Sequence, residues 1–459
     1  MKTSSAIPTA PGALPLIGHI LPLLRAPLAF LTSLPALGEL VRIRVGPLAI
    51  VLICDPELTR QVLLDDRTFD KGGPVFDRVR EVMGDGLGTC SHGAHRRLRR
   101  LTQPAFHPDR LPGYAQAMAV CIDEVTTSWR SGQIVDVPRE MGTITARATA
   151  ATLFSGELPA ERLSQIVDDV TTIFDSFYQR MFKLPPLDKL PTPGNRAWSR
   201  ARSRLRHTLI EIIAERRADG SDHGDLLSAL LASHDQEDRG RGLTDAEVID
   251  TVTTFFLAGT ETTAGTLAWA LDFLGRHPHI QQRLYAEADA VAGGAPSGYA
   301  DMDQLKLTGR VITETLRLRP PGWLLTRAVS ADTHLGGHLL SAGTTVAYSP
   351  YIIHHRADLF DAAETFDPDR WDPARLLPPR QNLIPFSTGP RKCIGDTFAM
   401  AEATLALATI TARWHLQQLP HHNTRPALGL ALRPRALPMR AIRRTAAGTP
   451  DRKSPSSSP

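Results

Sequence analysis

From about residue 56 to 320, apolar positions recur three or four residues apart, the spacing of one helix face. Asp55-Pro56 opens the first clear helix, PELTRQVLLDD. An aspartate at the N-cap accepts an unbonded amide, and proline at the next position has no amide to leave unbonded. Thr244-Asp245-Ala246-Glu247 forms a capping box, and no proline follows until Pro278. The helix it opens runs thirty-odd residues, roughly 45–50 Å at 1.5 Å per residue. Its middle, VTTFFLAGTETTAGTLAWAL, is apolar on nearly every side, so it is expected to cross the centre of the molecule. Strand signals are few. VRIRVGPLAIVLI (41–53) predicts a hairpin turning at Gly46-Pro47, and LLTRAVSADTHLGGHLLSAGTTVAYSP (324–350) predicts two or three more strands. From about 356 to 392 the chain is rich in Pro and Asp and aperiodic, a long ordered coil of the kind that serves a function. Internal repeats are absent. The pattern describes one domain over 1–440, mainly α with a small β portion, its Pro-rich segment 1–38 included. A polar tail, 441–459, ends in TAAGTPDRKSPSSSP and is expected to be disordered.

Composition narrows the class. With 42% hydrophobic and 22% charged residues in 459, the chain buries a large core, and wholesale disorder is excluded. A net charge of +4 is too diffuse to imply a nucleic-acid partner. Pro8, Pro11, Pro15, Pro22 and Pro27 break any helix that a membrane span or signal segment needs, so a cytoplasmic protein without a transmembrane segment is expected. Cys54, Cys90, Cys121 and Cys393 are scattered, with no CxxC and no Cys/His zinc spacing. A thiol that does chemistry here does it alone.

Phe386-Ser-Thr-Gly389-Pro-Arg391-Lys-Cys393-Ile-Gly395 is the sharpest such segment, and a helical pattern, DTFAMAEATLALATITARW, follows it. Unbonded amides at a helix N-terminus favour a thiolate. Gly389 and Gly395 allow the backbone to close around the sulfur, Phe386 covers one side, and Arg391 reaches an anionic group beside it. Glu314 and Arg317 stand at i, i+3 and share a helix face. Arg370, in Phe366-Asp-Pro-Asp-Arg-Trp371, would complete a buried charged network pinning the coil before Cys393. On the long helix, Ala258 and Thr262 stack four residues apart beside Gly259, which sacrifices about 1 kcal/mol of helix stability against alanine. Thr262 can bond back to a carbonyl and open a kink.

Together these motifs resemble the cytochrome P450 family over nearly the whole chain. Phe-x-x-Gly-x-Arg-x-Cys-x-Gly is similar to that family's haem signature, Glu314-Thr-Leu-Arg317 to its ExxR helix, and Ala258-Gly-Thr-Glu261-Thr262-Thr to its oxygen-activating motif. The resemblance implies the cytochrome P450 fold, with the long helix over a haem b whose iron takes Cys393 as axial ligand. Glu261 and Thr262 would then supply protons to dioxygen. His95 and Arg99, an HxxxR pair, with Arg327 and Arg391, would hold the propionates, and Phe386 and Gly395 would border the haem. The pocket is expected from the loop 72–90, Phe256, Leu257, Ala258, Trp323, Leu324 and Leu325, with no obvious charge among them. Arg96, Arg97, Arg100 and Lys392 read as a basic outer face for an acidic electron donor.

Gly84-Asp-Gly86-Leu-Gly88 lacks the strand–helix context of a dinucleotide site and reads as a turn. Electrons from NAD(P)H therefore come through external carriers, a ferredoxin and its reductase by the resemblance, to a monomer. DDRTFDKGGP (65–74), KLPTPGNR (189–196), GDLLSALLASHD (224–235), KCIGDTFA (392–399) and EATLALATI (402–410) resemble sesquiterpene-oxidising actinomycete members. They imply hydroxylation of an apolar terpenoid such as pentalenene in antibiotic biosynthesis, with onward oxidation to an aldehyde. Other terpenes, macrolides and fatty acids stay open as substrates, as do a peroxide-rearranging enzyme and a haem sensor.

Overall fold

The computed structural model describes residues 6–155, 158–181, 190–235, 237, 240–292, 295–429 and 431–444. Helices that position the site are α1 (Pro56–Leu64), α2 (Gly73–Met83), α3 (His92–Thr102), α4 (Asp245–Arg276), α5 (Lys306–Leu318) and α6 (Asp396–Arg413). Both start signals act as expected: Asp55 accepts from Leu58 N at 2.8 Å, and Thr244 and Glu247 exchange bonds across the first turn of α4. At 32 residues, α4 is about 48 Å long, and it is buried over most of its length. Helices Leu111–Thr127, Val137–Phe154, α5 and α6 pack with it into one large core.

Among the described residues, five strands form the largest sheet. They are β1 (Leu40–Val45), β2 (Leu48–Ile53), β3 (Phe69–Asp70), β4 (Leu325–Val329) and β5 (Thr345–Tyr348), in the order β1-β2-β5-β4-β3. β1 and β2 are the expected hairpin, with Leu40 opposite Ile53 and Val45 opposite Leu48. Val51, Ile53, Val346 and Tyr348 face one apolar cluster, while Ile50, Leu52 and Ala347 face another. Burial on both faces explains why β2 is an unbroken apolar run instead of an alternating one. The region 324–350 forms four strands instead of two or three, because Thr333–Leu335 and His338–Leu340 add a small hairpin. A short pair, β6 (Pro426–Leu428) and β7 (Leu432–Pro434), lies against α4.

Two expectations change. The segment 72–90 is not a loop: Gly73-Pro74 starts α2, and the turn follows it. There Gly84, at φ +65°, and Gly86 lie directly on α4. An added Cβ would come within 2.2 Å of the Asp250 side chain at Gly84, and within 2.5 Å of Asp250 O at Gly86. Ordered chain also passes the expected boundary at 440, since strand Pro438–Arg443 pairs with Trp414–Gln418 and Ile134–Asp136. Residues 445–459 of the expected tail lie outside the described residues.

Candidate active site

The chain before Cys393 is shaped by its backbone. Cys393 N donates to Phe386 O at 2.9 Å and Lys392 N to Gly389 O at 3.0 Å, closing the loop. Gly389 sits at φ +72°, where a Cβ would stand 2.4 Å from Leu63 O at the end of α1, so only glycine lets the loop dock there. Cys393 keeps accessible surface that faces an internal cavity of about 390 Å³, also lined by Phe386, Ile394 and Gly395. α6 begins at Asp396, where the helical pattern starts, with Gly395 as its N-cap. The thiol is not pre-ionised: burial pushes its pKa up, against the Gly395 N–H and the cations Arg99 and Lys71 that favour thiolate. A cation bound at the sulfur reverses that balance.

α4 forms the opposite wall. Ala258 stays exposed in the middle of a buried helix because it borders the cavity, as do Leu257, Gly259, Glu261 and Thr262. Thr262 Oγ1 donates to Ala258 O at 2.8 Å, the expected back-bond, yet the helix continues unbroken. What approaches Gly259 is Thr149 of the neighbouring helix, whose Oγ1 would stand 3.1 Å from an added Cβ. Phe256 is not a pocket residue: it is fully buried in the core. Phe255 lines the cavity in its place, edge-on to Phe106 with centroids 5.0 Å apart. Phe255, Ala258 and Thr262 fall at i, i+3 and i+7, one face of the helix, and Phe256 is turned about 100° away. Trp323 and Leu324 are likewise not pocket walls. Both pack into the cluster of Leu34, Ile43 and Leu52, with Trp323 Nε1 donating to Gly429 O. Strand alternation puts Leu325 and Arg327 toward the cavity.

Cations gather at one end. Arg327 and Arg391 line the cavity, as expected, and Lys71, which no sequence pattern singled out, joins them. Arg391 is buried and bonded to Asp66, Asp70 and the Cys90 carbonyl at 2.9 Å each. Lys71 Nζ donates to Gly88 O at 2.6 Å, and burial, with Arg327 and Arg391 nearby, pushes its pKa down to about 7. His95 is buried behind this wall and held neutral, its pKa pushed down to about 3 by burial and by Arg391 and Lys71. Arg99 does not line the cavity; its Nη1 donates to Lys392 O at 2.6 Å, bracing the cysteine loop.

The charged network closes as the motifs suggest. Glu314 and Arg317 are fully buried, paired at 2.8 and 2.9 Å, and Arg317 also donates to the carbonyls of His354, Ala363 and Thr365. Glu314 accepts in addition from Asp367 N, Arg370 Nε and Trp371 Nε1. The coil is thus tied to α5. The basic outer face is not free: Arg97 pairs with Glu247, Arg100 with Asp235 and Glu237, and Lys392 with Asp396.

Among the described residues no cluster of three or more His, Cys, Asp or Glu could hold a metal. A largely apolar cavity whose lining holds one thiol, Cys393, and the cations Lys71, Arg327 and Arg391 fits haem, whose two carboxylates those cations would hold. No helix among the described residues is long and apolar enough to cross a membrane.

Comparison with known proteins agrees. The family described as Cytochrome P450 matches residues 8–437. Pentalenene oxygenase of Streptomyces avermitilis is 44% identical over 439 residues, covering 95% of this chain and 97% of that protein. Cyclooctat-9-en-7-ol 5-monooxygenase of Streptomyces melanosporofaciens is 45% identical over 415 residues, covering 90% of each chain. Cyclooctatin synthase of the same organism is 44% identical over 436 residues, covering 94% of each. The cysteine loop, the α5 network and these matches lead to one conclusion: the chain belongs to the cytochrome P450 family, whose members are haem monooxygenases.

Proposed function

We propose that this enzyme hydroxylates an unactivated C–H bond of an apolar terpenoid, with a sesquiterpene hydrocarbon such as pentalenene as the leading candidate. The observation that carries this reading is the lining of the cavity between Cys393 and α4. Phe76, Met83, Phe106, Phe255 and Leu325 surround it, and charge is confined to the cationic end and to Glu261. Of the hydroxyls on its wall, Thr152, Thr262 and Thr266 each donate to a carbonyl of their own helix, whereas those of Thr149, Thr263 and Ser387 have no partner among the described residues. Away from the cationic end the lining is mostly apolar, so a compact hydrocarbon is held chiefly by burial. The similarity to enzymes named for pentalenene and cyclooctat-9-en-7-ol points to the same class.

The overall reaction is RH + O2 + 2 H+ + 2 e− → ROH + H2O, and a second round on the alcohol gives the aldehyde. Haem, when bound, supplies the oxygen chemistry, with Cys393 as its protein ligand. Lys71, Arg327 and Arg391 would hold its carboxylates, with His95 buried behind them and Arg99 bracing the cysteine loop. Thr262 and Glu261 hold and move protons at the cavity wall, and the apolar side chains exclude water. A ferredoxin and its reductase bring the electrons. The test is a spin-state titration of the purified haem protein with pentalenene and a terpene panel, with products analysed by mass spectrometry. Tight binding and oxygenated products with terpene hydrocarbons support the reading. Response only to fatty acids or macrolides overturns it.

A further inference from the structure

The N-terminal arm carries apolar side chains that the core does not take up. Leu14 and Ile17 are exposed, as is Leu24 near the end of the helix Ile20–Arg25, and Leu16 is 88% exposed. Leu14, Leu16 and Ile17 share one tight turn, closed by Leu14 N to Gly18 O and Gly18 N to Leu14 O at 2.9 Å each. Leu16 stands in its middle with φ +66°, a left-handed backbone that leucine adopts only against a steric cost. Glycine or asparagine would hold the turn without that strain. The chain gives up stability at this point and holds out an apolar side chain.

The turn is mounted on a rigid base. At Gly18 an added Cβ would lie 2.4 Å from Arg44 O and 2.7 Å from Arg44 Cβ, so the turn rests directly on β1. His19 N donates to Arg44 O at 2.7 Å, and the buried His19 ring bridges Ala10 O and Arg44 N at 2.9 Å each. Charge around this base has one sign. Residues 1–50 hold Lys2, Arg25, Arg42 and Arg44 against one acid, Glu39, in a chain with 52 basic and 48 acidic residues. Arg25, Arg42 and Arg44 are exposed, and among the described residues no carboxylate pairs with them, in contrast to Arg97, Arg100 and Lys392. A protein interface needs about 800 Å² of matched surface on each side, more than a five-residue turn supplies. An apolar tip ringed by unpaired cations is instead complementary to anionic lipid: the side chain enters the acyl boundary and the guanidiniums meet phosphates.

We propose that the turn Leu14–Gly18 docks the enzyme on an anionic lipid bilayer, with Leu16 inserted and Arg25, Arg42 and Arg44 against the lipid phosphates. The contact is peripheral and needs no spanning helix. It places the enzyme where an apolar hydrocarbon accumulates, and it does not depend on which terpenoid is oxidised.

The test is flotation of the haem-loaded full chain with vesicles of phosphatidylcholine alone or mixed equally with phosphatidylglycerol. The enzyme is expected to float several-fold more with the mixed vesicles, and added salt lowers the bound fraction. Leu16→Asp, a residue that tolerates the left-handed backbone, lowers binding several-fold and leaves the substrate-induced spin shift in solution unchanged. Arg25→Gln combined with Arg44→Gln lowers binding likewise. Leu16→Gly tells a contact residue from a structural one. It keeps the melting temperature, because relief of the backbone offsets the added freedom of the unfolded chain, yet it binds vesicles less. No flotation with the mixed vesicles, equal flotation with phosphatidylcholine alone, or binding that survives Leu16→Asp overturns the proposal. A Leu16-dependent dimer in sedimentation velocity, without flotation, gives the turn to a second copy of the chain and overturns the lipid contact as well. The spin-state titration is read without vesicles, so failure here and failure of the proposed function are separate results.

Discussion

Two carboxyl groups near the central helix have opposite surroundings and therefore opposite chemistry. Glu261 is partly exposed and paired with Arg433. Glu402, on α6, is fully buried, and neither of its oxygens is within hydrogen-bond distance of a partner. Burial pushes its pKa up from an ordinary 4.5 to about 8, with Thr263 nearby easing the penalty only in part, so it is a neutral acid at pH 7. The folded state then keeps a proton that the unfolded chain releases, and stability falls as pH rises from about 4.5 to about 8. Glu402→Gln removes that loss. Urea unfolding should show the variant gaining on the native protein by a few kcal/mol between pH 5 and pH 8, to order of magnitude; parallel pH profiles would refute the assignment. At Thr262, replacement by alanine removes the hydroxyl that donates to Ala258 O. Thr262→Ala is expected to bind haem and substrate normally, while product falls on the order of 10²-fold and the electrons appear as peroxide. Undiminished product per electron would contradict the role.

At the scale of elements, legibility followed the chemistry that acts locally. Asp55 and Thr244 announce their helices because a cap is a contact within four residues, and both make it. α2 was illegible because Gly72-Gly73-Pro74 reads as a breaker, although proline in a first turn is also a helix start. Phe256 and Trp323 were misplaced for another reason. Their apolar character is evident in the sequence, but which side of a helix or turn meets the cavity depends on partners far along the chain. The Glu314–Arg317 pair was legible as a motif, but its six further bonds were not, since the coil supplies them. Removing one partner of a buried pair leaves the other charge stranded. Glu314→Ala should cost about 3–5 kcal/mol and give little haem-loaded protein, measured by thermal unfolding and haem content. Normal haem incorporation would show that the coil does not need this anchor. Gly389→Ala forces a side chain into a left-handed backbone and against Leu63 O, with an expected loss of about 1–3 kcal/mol. An unchanged melting curve would remove Gly389 from the docking of the loop.

On the scale of the whole molecule, the fold brings together segments separated by hundreds of residues around one cavity. α3, α4, β4 and the loop before α6 each contribute a wall or a brace, and a motif in any one of them is weak alone. Their order along the chain made the family legible; Lys71 was not, because it reaches the site only through pairing of β3 with β4. The same assembly neutralises Arg97 and Arg100 against acids on other segments, so a surface that reads as basic in the sequence is an ion-paired one. The proposed chemistry converges on a bond between Cys393 and haem iron, and the most direct measurement is absorption of the reduced, carbon-monoxide-saturated protein. Thiolate coordination shifts the main haem band strongly to the red, and Cys393→Ser abolishes that shift. A native spectrum with the band at the position of imidazole-ligated haem, or a red-shifted band that survives Cys393→Ser, contradicts it.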